Sequence, residues 1–494
     1  MTRLYALIDN LISLSIANQL IEPMDSIYVR NRILSLFKEN EYERTLPIQK
    51  DLYQTLESLT DIAVEKGLIA DTLADRDIFS SMIMNEFLDK PSIVNQKFFQ
   101  KYEQSPSDAT NYFYHTSRAS NYVKVDRIAK NKEFTVDSPY GDIKITINLS
   151  KPEKDPKQIA LEKLAPPNKY PSCLLCIENE GYNGTIKLPD RANHRMIRLD
   201  LSNKSWLMQY SPYLYYNEHC IVLSETHTPM QITKQTFYNL LSFTGLLPHY
   251  FIGSNADLPI VGGSILSHEH YQGGSYTFPI NSAKDLFSFT INKYPNIQAK
   301  AMNWPLSTLR LSSKTINDLA ECSDMILKLW KEYNDVSNDI LSHTTSTPHN
   351  TITPVCRRNG EYYEMDLVLR NNRTNANHPL GIFHPHADVH HIKKENIGLI
   401  EVMGLAILPG RLLTELEEIK AYILGTTDTV PEYHKPWADS LKATYEETQD
   451  LEAFIIQAIG DKFVRVLEDA GVYKLNEKGI QGFKKFVSTF SIIK

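Results

Sequence analysis

The most informative segment of this chain reads Gly262-Gly263-Ser264-Ile265-Leu266-Ser267-His268-Glu269-His270-Tyr271-Gln272-Gly273-Gly274. On a strand, alternate side chains point to the same face, so His268, His270 and Gln272 are expected to face one site. A neutral imidazole is a competent nucleophile toward phosphorus, and the flanking glycines allow a phosphate to approach the backbone closely. An isolated His-x-His also occurs on half-exposed strands without chemistry, so neighbouring features must decide between the two interpretations.

A pair of cysteines, Cys173 and Cys176, precedes this segment at zinc-ligand spacing. Thiolates and imidazoles together form four-coordinate zinc sites. Taken alone, a C-x-x-C is equally typical of zinc binding, of a redox pair and of coincidence. The chain has five cysteines in total, and an odd number without a secretory signal favours reduced thiols and a cytoplasmic location.

The overall charge excludes some classes of partner. A formal net charge of -7 gives no general attraction to nucleic acid or to an anionic membrane, so any phosphate must be bound by a local cluster. Residues 2–21 are apolar in places, but Asp9, Asn10, Ser13 and Ser15 interrupt them and no cleavage signature follows. We therefore expect no nucleic-acid partner, no signal peptide and no membrane span.

Residues 1–112 are predicted to form an all-helical N-terminal extension, because apolar residues recur at helical spacing throughout. Its first helix is predicted over residues 2–21, and Asp25 is a candidate N-cap for the second. The extension contains no chemical motif. We expect it to serve packing or oligomerisation and assign it no catalytic role.

An α+β unit is predicted over residues 113–290. Alternation of apolar and polar residues over 142–147 predicts a strand, residues 234–246 predict a helix, and a strand over 262–278 carries the histidine pair.

A second α+β unit is predicted over residues 291–494, with a helix over 317–341 and a strand over 362–369. It contains another His-x-His, at His384 and His386. The repeated order indicates a duplication with mostly antiparallel sheets. Residues 411–494 are predicted to return to helix, including a helix over 435–458.

The combined motifs resemble the galactose-1-phosphate uridylyltransferases, a family of the histidine-triad superfamily. Members carry a C-x-x-C near the start of their first half and His-x-His-x-Gln near its end, as this chain does. The class II branch is resembled in particular through GIFHPHADVHHIKKEN at 381–396 and SRASNY at 117–122. The resemblance covers nearly the whole chain and implies two histidine-triad-like α+β halves, a helical N-terminal extension and a helical C-terminus.

The resemblance also implies roles for the residues of the motif. His270 matches the histidine that becomes uridylylated, and Gln272 matches the amide that binds the phosphoryl oxygens. A structural zinc ion is implied, with four ligands: Cys173, Cys176, His227 and His268. The chain departs from the better-known branch at Glu269, where proline is usual.

Further candidate contacts come from basic and polar residues near the family-like segments. The predicted substrate-binding residues are Arg118, Asn179, Lys393 and Lys394. His384 and His386 resemble a pair that binds a second metal in the other branch, although no convincing glutamate partner is present here. A structural metal, phosphate contacts and simple polar surface all remain open for that cluster.

The implied reaction is transfer of UMP from UDP-glucose to galactose 1-phosphate by double displacement through His270. Its partners are these two small molecules, and a homodimer is left open. Two alternatives remain: a nucleotide phosphate hydrolase or phosphorylase of the same superfamily, and a zinc-bearing nucleotide-binding protein without turnover. Such hydrolases tend to carry a third histidine where this chain has Gln272.

Overall fold

The computed structural model describes residues 2–46, 48–150, 170–263 and 265–493. Its N-terminal part consists of the helices α1 (Thr2–Ala17), α2 (Ser26–Leu36), α3 (Leu52–Glu65), α4 (Leu73–Asn85), α5 (Pro91–Tyr102) and α6 (Pro106–Ala119). The apolar faces of α1 to α4 enclose a core of their own, which includes Leu7, Ile33, Leu59 and Ile83. Helices α5 and α6 instead contribute Phe98 and Phe113 to the core beneath the main sheet.

Two details of the predicted first helices are wrong. Helix α1 ends at Ala17, and Gln19 adopts a left-handed φ of 57°, which a continuing helix does not allow. Asp25 does precede α2, but its side chain accepts a hydrogen bond from the backbone N–H of Glu22 and makes none to the helix that follows. Asp25 therefore stabilises the turn before α2 and leaves the helix end uncapped.

One eleven-stranded antiparallel sheet forms the centre of the molecule, in the order β16-β8-β9-β10-β14-β13-β6-β7-β5-β4-β3. Its first-half strands are β3 (Ile197–Leu201), β4 (Lys204–Tyr210), β5 (Cys220–Ser224), β6 (Phe251–Gly253) and β7 (His270–Gly274). The second-half strands are β8 (Asp285–Thr290), β9 (Gln298–Met302), β10 (Thr308–Ser313), β13 (Asn350–Asn359), β14 (Tyr362–Asn371) and β16 (Ile492–Ile493). A two-stranded hairpin, β11 (His343–Thr344) and β12 (Thr347–Pro348), stands apart.

The two halves of this sheet repeat one connection pattern. Three strands, a helix and an antiparallel pair of strands follow one another in each: β3, β4, β5, α8 (Lys234–Leu246), β6 and β7, then β8, β9, β10, α9 (Ile316–Glu332), β13 and β14. The halves join where β6 pairs with β13, with Gly253 opposite Val355. The predicted α+β duplication is thereby confirmed.

A smaller sheet and the helices between residues 399 and 470 form a second core on the other face of the main sheet, whereas Phe483, Phe486 and Val487 pack in the first core. Strands β1 (Lys132–Val136) and β2 (Ile143–Asn148) pair antiparallel, and β15 (Leu405–Pro409) runs parallel to β2. The remaining helices are α7 (Val125–Ile128), α10 (Leu399–Val402), α11 (Leu412–Ile423), α12 (Lys435–Thr444), α13 (Leu451–Ala470) and α14 (Glu477–Val487). Among the described residues, no helix has the length and hydropathy needed to cross a bilayer.

Several predicted boundaries are corrected. Helix α9 ends at Glu332 because Tyr333 is extended, and the predicted helix over 435–458 is two helices because Tyr445 is extended and the Asp450 side chain caps α13. The strand predicted over 262–278 spans only His270–Gly274. The second His-x-His, His384 and His386, lies in a loop after β14.

Candidate active site

His270 begins the strand β7 and is buried, with 7% of its surface exposed. Its Nδ1 lies 2.8 Å from the carbonyl oxygen of His268, and only an N–H can satisfy that oxygen. Burial also lowers the pKa of His270 below its ordinary value, so the ring is neutral. The proton is therefore fixed on Nδ1, and Nε2 carries a lone pair that no described residue engages.

Gln272 lies two positions further along β7, on the same face as His270. Its carbonyl oxygen accepts a hydrogen bond from Nε2 of His219 at 3.1 Å. No described residue accepts from its amide NH₂ group, which is thus free to donate to a ligand. The predicted pairing of His270 and Gln272 on one face is in agreement with the strand register.

His268 was predicted to share that face, and this is wrong. It precedes the strand, and its Nδ1 lies 3.3 Å from Cys173 Sγ and 3.8 Å from Cys176 Sγ. Cys176 Sγ is also 3.0 Å from His227 Nδ1, and the two sulfurs are 3.4 Å apart. All four ligand atoms lie within 4.8 Å of one another.

These separations suit one tetrahedral ion. Zinc–sulfur bonds near 2.3 Å and zinc–nitrogen bonds near 2.0–2.1 Å place tetrahedral ligand atoms about 3.3–3.8 Å apart. His268 donates from Nε2 to the Ser224 carbonyl at 2.8 Å, which leaves the Nδ1 lone pair directed at the sulfurs. Burial, with a hydrogen bond that the thiol donates to Cys173, raises the pKa of Cys176 to about 11, so this thiol needs a cation to ionise at neutral pH.

Glu269, which stands where proline is usual in the better-known branch, is part of the same local structure. Its backbone N–H donates to the Thr228 carbonyl at 2.7 Å, and its side chain accepts from the Tyr271 hydroxyl. Proline has no N–H to make the first bond. The segment that carries His227 is thereby tied to the segment that carries His268.

The predicted substrate-binding residues are spread over three places. Asn179 is buried and donates from its amide to the carbonyls of Cys173 and Cys176, both at 2.8 Å. Lys393 is buried and pairs with Glu401. Arg118 and Lys394 are exposed. Their roles toward substrate stay predictions.

The five histidines between His378 and His391 do not assemble into a second metal group. His384 directs its two nitrogens at the Pro385 carbonyl and the Asn396 side chain, and His386 directs Nε2 at the Ile382 carbonyl. Among the described residues, the Cys173, Cys176, His227 and His268 quartet is the one group of three or more such ligands close enough to share an ion. The geometry therefore gives no support to a second metal at His384 and His386, which the sequence left open.

A buried polar cluster on the sheet face of Gln272 was not predicted. Gln209 lies opposite Ile221, which lies opposite Gln272. His194, which interacts with Gln209, stacks on the ring of Tyr122, and the Arg191 guanidinium lies 5.6 Å from the centroid of that ring. The Tyr122 hydroxyl and Arg191 Nε have no hydrogen-bond partner in the described part of the chain. Unpaired buried polar atoms are costly, so this cluster is a candidate ligand contact.

His219 was also missed. His219 immediately precedes β5, but the sequence does not show that β5 pairs with β7 in the register that brings His219 to Gln272.

Two family models match the chain. The galactose-1-phosphate uridyl transferase N-terminal domain matches residues 19–229 and the C-terminal domain of the same family matches residues 244–439. The chain belongs to the galactose-1-phosphate uridylyltransferase family. The predicted family and the predicted nucleotidyltransferase class are thus confirmed.

Relatives of this family match along nearly their whole length. A galactose-1-phosphate uridylyltransferase from Clostridium perfringens is 57% identical over 99% of this chain and 100% of its own. The enzymes of that name from Ligilactobacillus salivarius and Streptococcus mutans are 48% and 47% identical, each over 99% of both chains. A solved yeast Ap4A phosphorylase covers 66% of this chain and 90% of its own at 13% identity, with a TM-score of 0.32, too slight a likeness to bear on function.

Proposed function

We propose that the chain transfers UMP from UDP-glucose to galactose 1-phosphate through a uridylyl group carried on Nε2 of His270. The observation that carries this proposal is the neutral, buried His270 ring, whose proton is held on Nδ1 by the His268 carbonyl. An imidazole held in this tautomer presents its lone pair at Nε2 without first losing a proton.

The reaction consists of two in-line displacements. In the first, Nε2 forms a bond to the α-phosphorus of UDP-glucose while the bond from that phosphorus to the bridging oxygen breaks, and glucose 1-phosphate leaves with the electron pair. In the second, a phosphate oxygen of galactose 1-phosphate attacks the same phosphorus and Nε2 recovers its lone pair. Glucose 1-phosphate leaves in the first step and the neutral imidazole of His270 leaves in the second. Both are weakly basic leaving groups, so neither step requires a strong general acid.

Gln272 is proposed to donate a hydrogen bond to a phosphoryl oxygen during both displacements. Its NH₂ group is free of protein acceptors in the described part of the chain, and it lies on the face of His270. Removing one such preorganised donor typically costs about 3 kcal/mol of transition-state stabilisation.

A zinc ion is proposed for the quartet of Cys173, Cys176, His227 and His268, with a structural role. Support comes from the two-sulfur, two-nitrogen donor set and from the separations of its atoms. Zinc there would tie the Cys173–Cys176 turn to the residues that precede β7. Metal analysis of protein purified without added metal tests this: about one equivalent of zinc is expected, and a strong chelator should lower the melting temperature.

Substrate contacts are proposed for Arg118, Asn179, Lys393 and Lys394, and for the polar cluster around Arg191. Arg118 and Lys394 have exposed charges, whereas the cluster offers buried groups that have no partner within residues 2–46, 48–150, 170–263 and 265–493. The buried amide oxygen of Asn179 has no hydrogen-bond partner among the residues that the structure describes.

A cytoplasmic location is proposed because all five cysteines are free, as expected in a reducing compartment. A homodimer is proposed from the family resemblance, and light scattering of the purified chain tests it.

Isotope exchange tests the function as a whole. The protein is mixed with UDP-glucose and labelled glucose 1-phosphate, with galactose 1-phosphate left out. Label should enter UDP-glucose, because the covalent intermediate forms and reverses without the second acceptor. A hydrolase would instead release UMP, and a binding protein would catalyse neither reaction.

A further inference from the structure

We propose that His219 is a positioning residue that holds the side-chain amide of Gln272 with its NH₂ group toward the transferring phosphoryl group. This inference rests on the proposed function, in which Gln272 donates to a phosphoryl oxygen. It assigns to a residue outside the His-x-His-x-Gln motif the task of choosing which end of the amide faces the substrate.

The strand register brings the two side chains together. Strands β5 and β7 pair with Ile221 opposite Gln272 and Cys220 opposite Gly273, and His219 immediately precedes β5. Nε2 of His219 lies 3.1 Å from Oε1 of Gln272. His219 is buried, with 2% of its surface exposed, so water does not compete for this bond.

The ring has one proton to donate, and its surroundings fix where that proton lies. Burial lowers the pKa of His219 to about 4, so the imidazole is neutral at physiological pH. Its Nδ1 is buried and has no partner among the described residues. A buried N–H without an acceptor is rarer than an unpaired lone pair, which favours the proton on Nε2. His219 is then a donor, and Oε1 of Gln272 must be the acceptor.

This hydrogen bond matters because an amide has two unlike ends of nearly the same shape. With Oε1 held by His219, the NH₂ group occupies the opposite side, where it donates to a phosphoryl oxygen. If the amide were free to flip, its carbonyl end would meet the negatively charged oxygens of the phosphate and repel them.

Two aromatic rings hold the imidazole itself in place. Its centroid is 4.5 Å from that of Tyr216 and 5.6 Å from that of Tyr215, the latter in a stacked arrangement. A purely packing role would be filled by an apolar ring of the same size. His219→Phe therefore separates packing from hydrogen bonding.

The experiment compares three variants at position 219 in otherwise full-length protein. His219→Phe keeps the ring and removes the donor. His219→Gln places an amide nitrogen near the position of Nε2, whereas His219→Asn reaches only the position of Nδ1 and serves as its matched control. Each variant is made with and without Gln272→Ala, and the single-turnover rate of uridylylation by UDP-glucose is measured with the KM for UDP-glucose.

We expect His219→Phe and His219→Asn to lower the uridylylation rate about tenfold with little change in KM, and His219→Gln to restore most of it. With Gln272→Ala already present, His219→Phe should produce no further loss. Equal losses with and without Gln272→Ala, or a His219→Phe variant as fast as the wild type, would overturn the inference. If wild-type protein is never uridylylated, the proposed function fails, and the inference falls with it.

Discussion

The two halves of the central sheet share one topology, but their equivalent strands carry different chemistry. Gly253 and Val355 face each other where the halves meet. Gln272 lies opposite Gly253, and Asp366 lies opposite Val355, so Asp366 occupies in β14 the place of Gln272 in β7. One half thus presents an amide at the place where the other buries a carboxylate.

The position of His270 has a counterpart too, because Glu364 lies two residues before Asp366 as His270 does before Gln272. Asp366 is fully buried and accepts two hydrogen bonds from Arg310 and one from Arg357, which also pairs with Glu364. In β14 the carboxylates of Glu364 and Asp366 form ion pairs with arginines of the same half. In β7 the Nε2 lone pair of His270 and the NH₂ group of Gln272 have no partner among the described residues. We therefore expect the chemistry to lie in the first half, where these groups are unpaired.

Substitutions at equivalent positions of β7 and β14 test the difference between the two strands most strongly. His270→Ala should lower uridylyl exchange by at least about 10⁴-fold, because the variant has no nucleophile. Glu364→Gln, its matched control, should leave the exchange rate close to that of wild type. Exchange rates and circular dichroism of both variants provide the check. Comparable activity in the two would mean that the strands are not chemically distinct.

Asp366→Asn tests the structural role of the second half. Removing Asp366 leaves the buried Arg310 charge uncompensated and leaves Arg357 with Glu364 alone, and the stability cost is about 3–5 kcal/mol. Asp285→Asn removes an exposed pair with Lys300 on the same half and should cost well under about 1 kcal/mol. Thermal unfolding of the two variants measures the difference. A mild effect of Asp366→Asn would contradict the assigned role.

Gln272→His tests whether the Gln272 amide contributes to phosphoryl transfer in the first half. The exchange rate should fall roughly a hundredfold, because one donor to the phosphoryl oxygens is lost. The fraction of UDP-glucose released as UMP should rise, because a titratable ring can assist water. Labelled UDP-glucose, with and without galactose 1-phosphate, gives both numbers. Unchanged exchange with an unchanged UMP fraction would place Gln272 outside the site.

Acid should lower the stability of the protein through protonation of Asp366, by less than the Asp366→Asn substitution does. Burial alone would raise the pKa of Asp366, but Arg310 and Arg357 hold it at about 2, below the ordinary 3.8. A depressed pKa gives stability that is present above the unfolded value and lost as pH falls through the folded one. This carboxylate should therefore lose about 2 kcal/mol of stabilisation between pH 4 and pH 2. The melting-temperature gap between wild type and Asp366→Asn should narrow over that range, and a constant gap would contradict it.

Much of the architecture could be predicted from the sequence, because periodicity marks α8 and the strands β2 and β14 with little dependence on context. Helix ends were predicted incorrectly where a single residue adopts an extended conformation, as at Tyr333 and Tyr445. The length of β7 was overestimated because the bonds of His268 and Glu269 to distant segments replace strand pairing there.

For the site, the motif order predicted the Cys/His quartet that the structure assembles, and the register agrees with His270 and Gln272 on one face. The sequence could not show that Lys393 is paired with Glu401, since charge is visible in a sequence but burial and partners are not. For the same reason it did not indicate His219, whose importance depends on the register between β5 and β7.

The central claim is that the free Nε2 of His270 accepts a uridylyl group, and an intact-mass measurement tests it most directly. The full-length protein is mixed with UDP-glucose alone and its mass is recorded before and after, alongside His270→Ala. We expect the wild type to gain one uridylyl unit, which added galactose 1-phosphate then removes, and we expect His270→Ala to gain none. A wild-type protein that exchanges sugars without ever gaining mass, or a His270→Ala variant that is labelled as readily, would contradict the account.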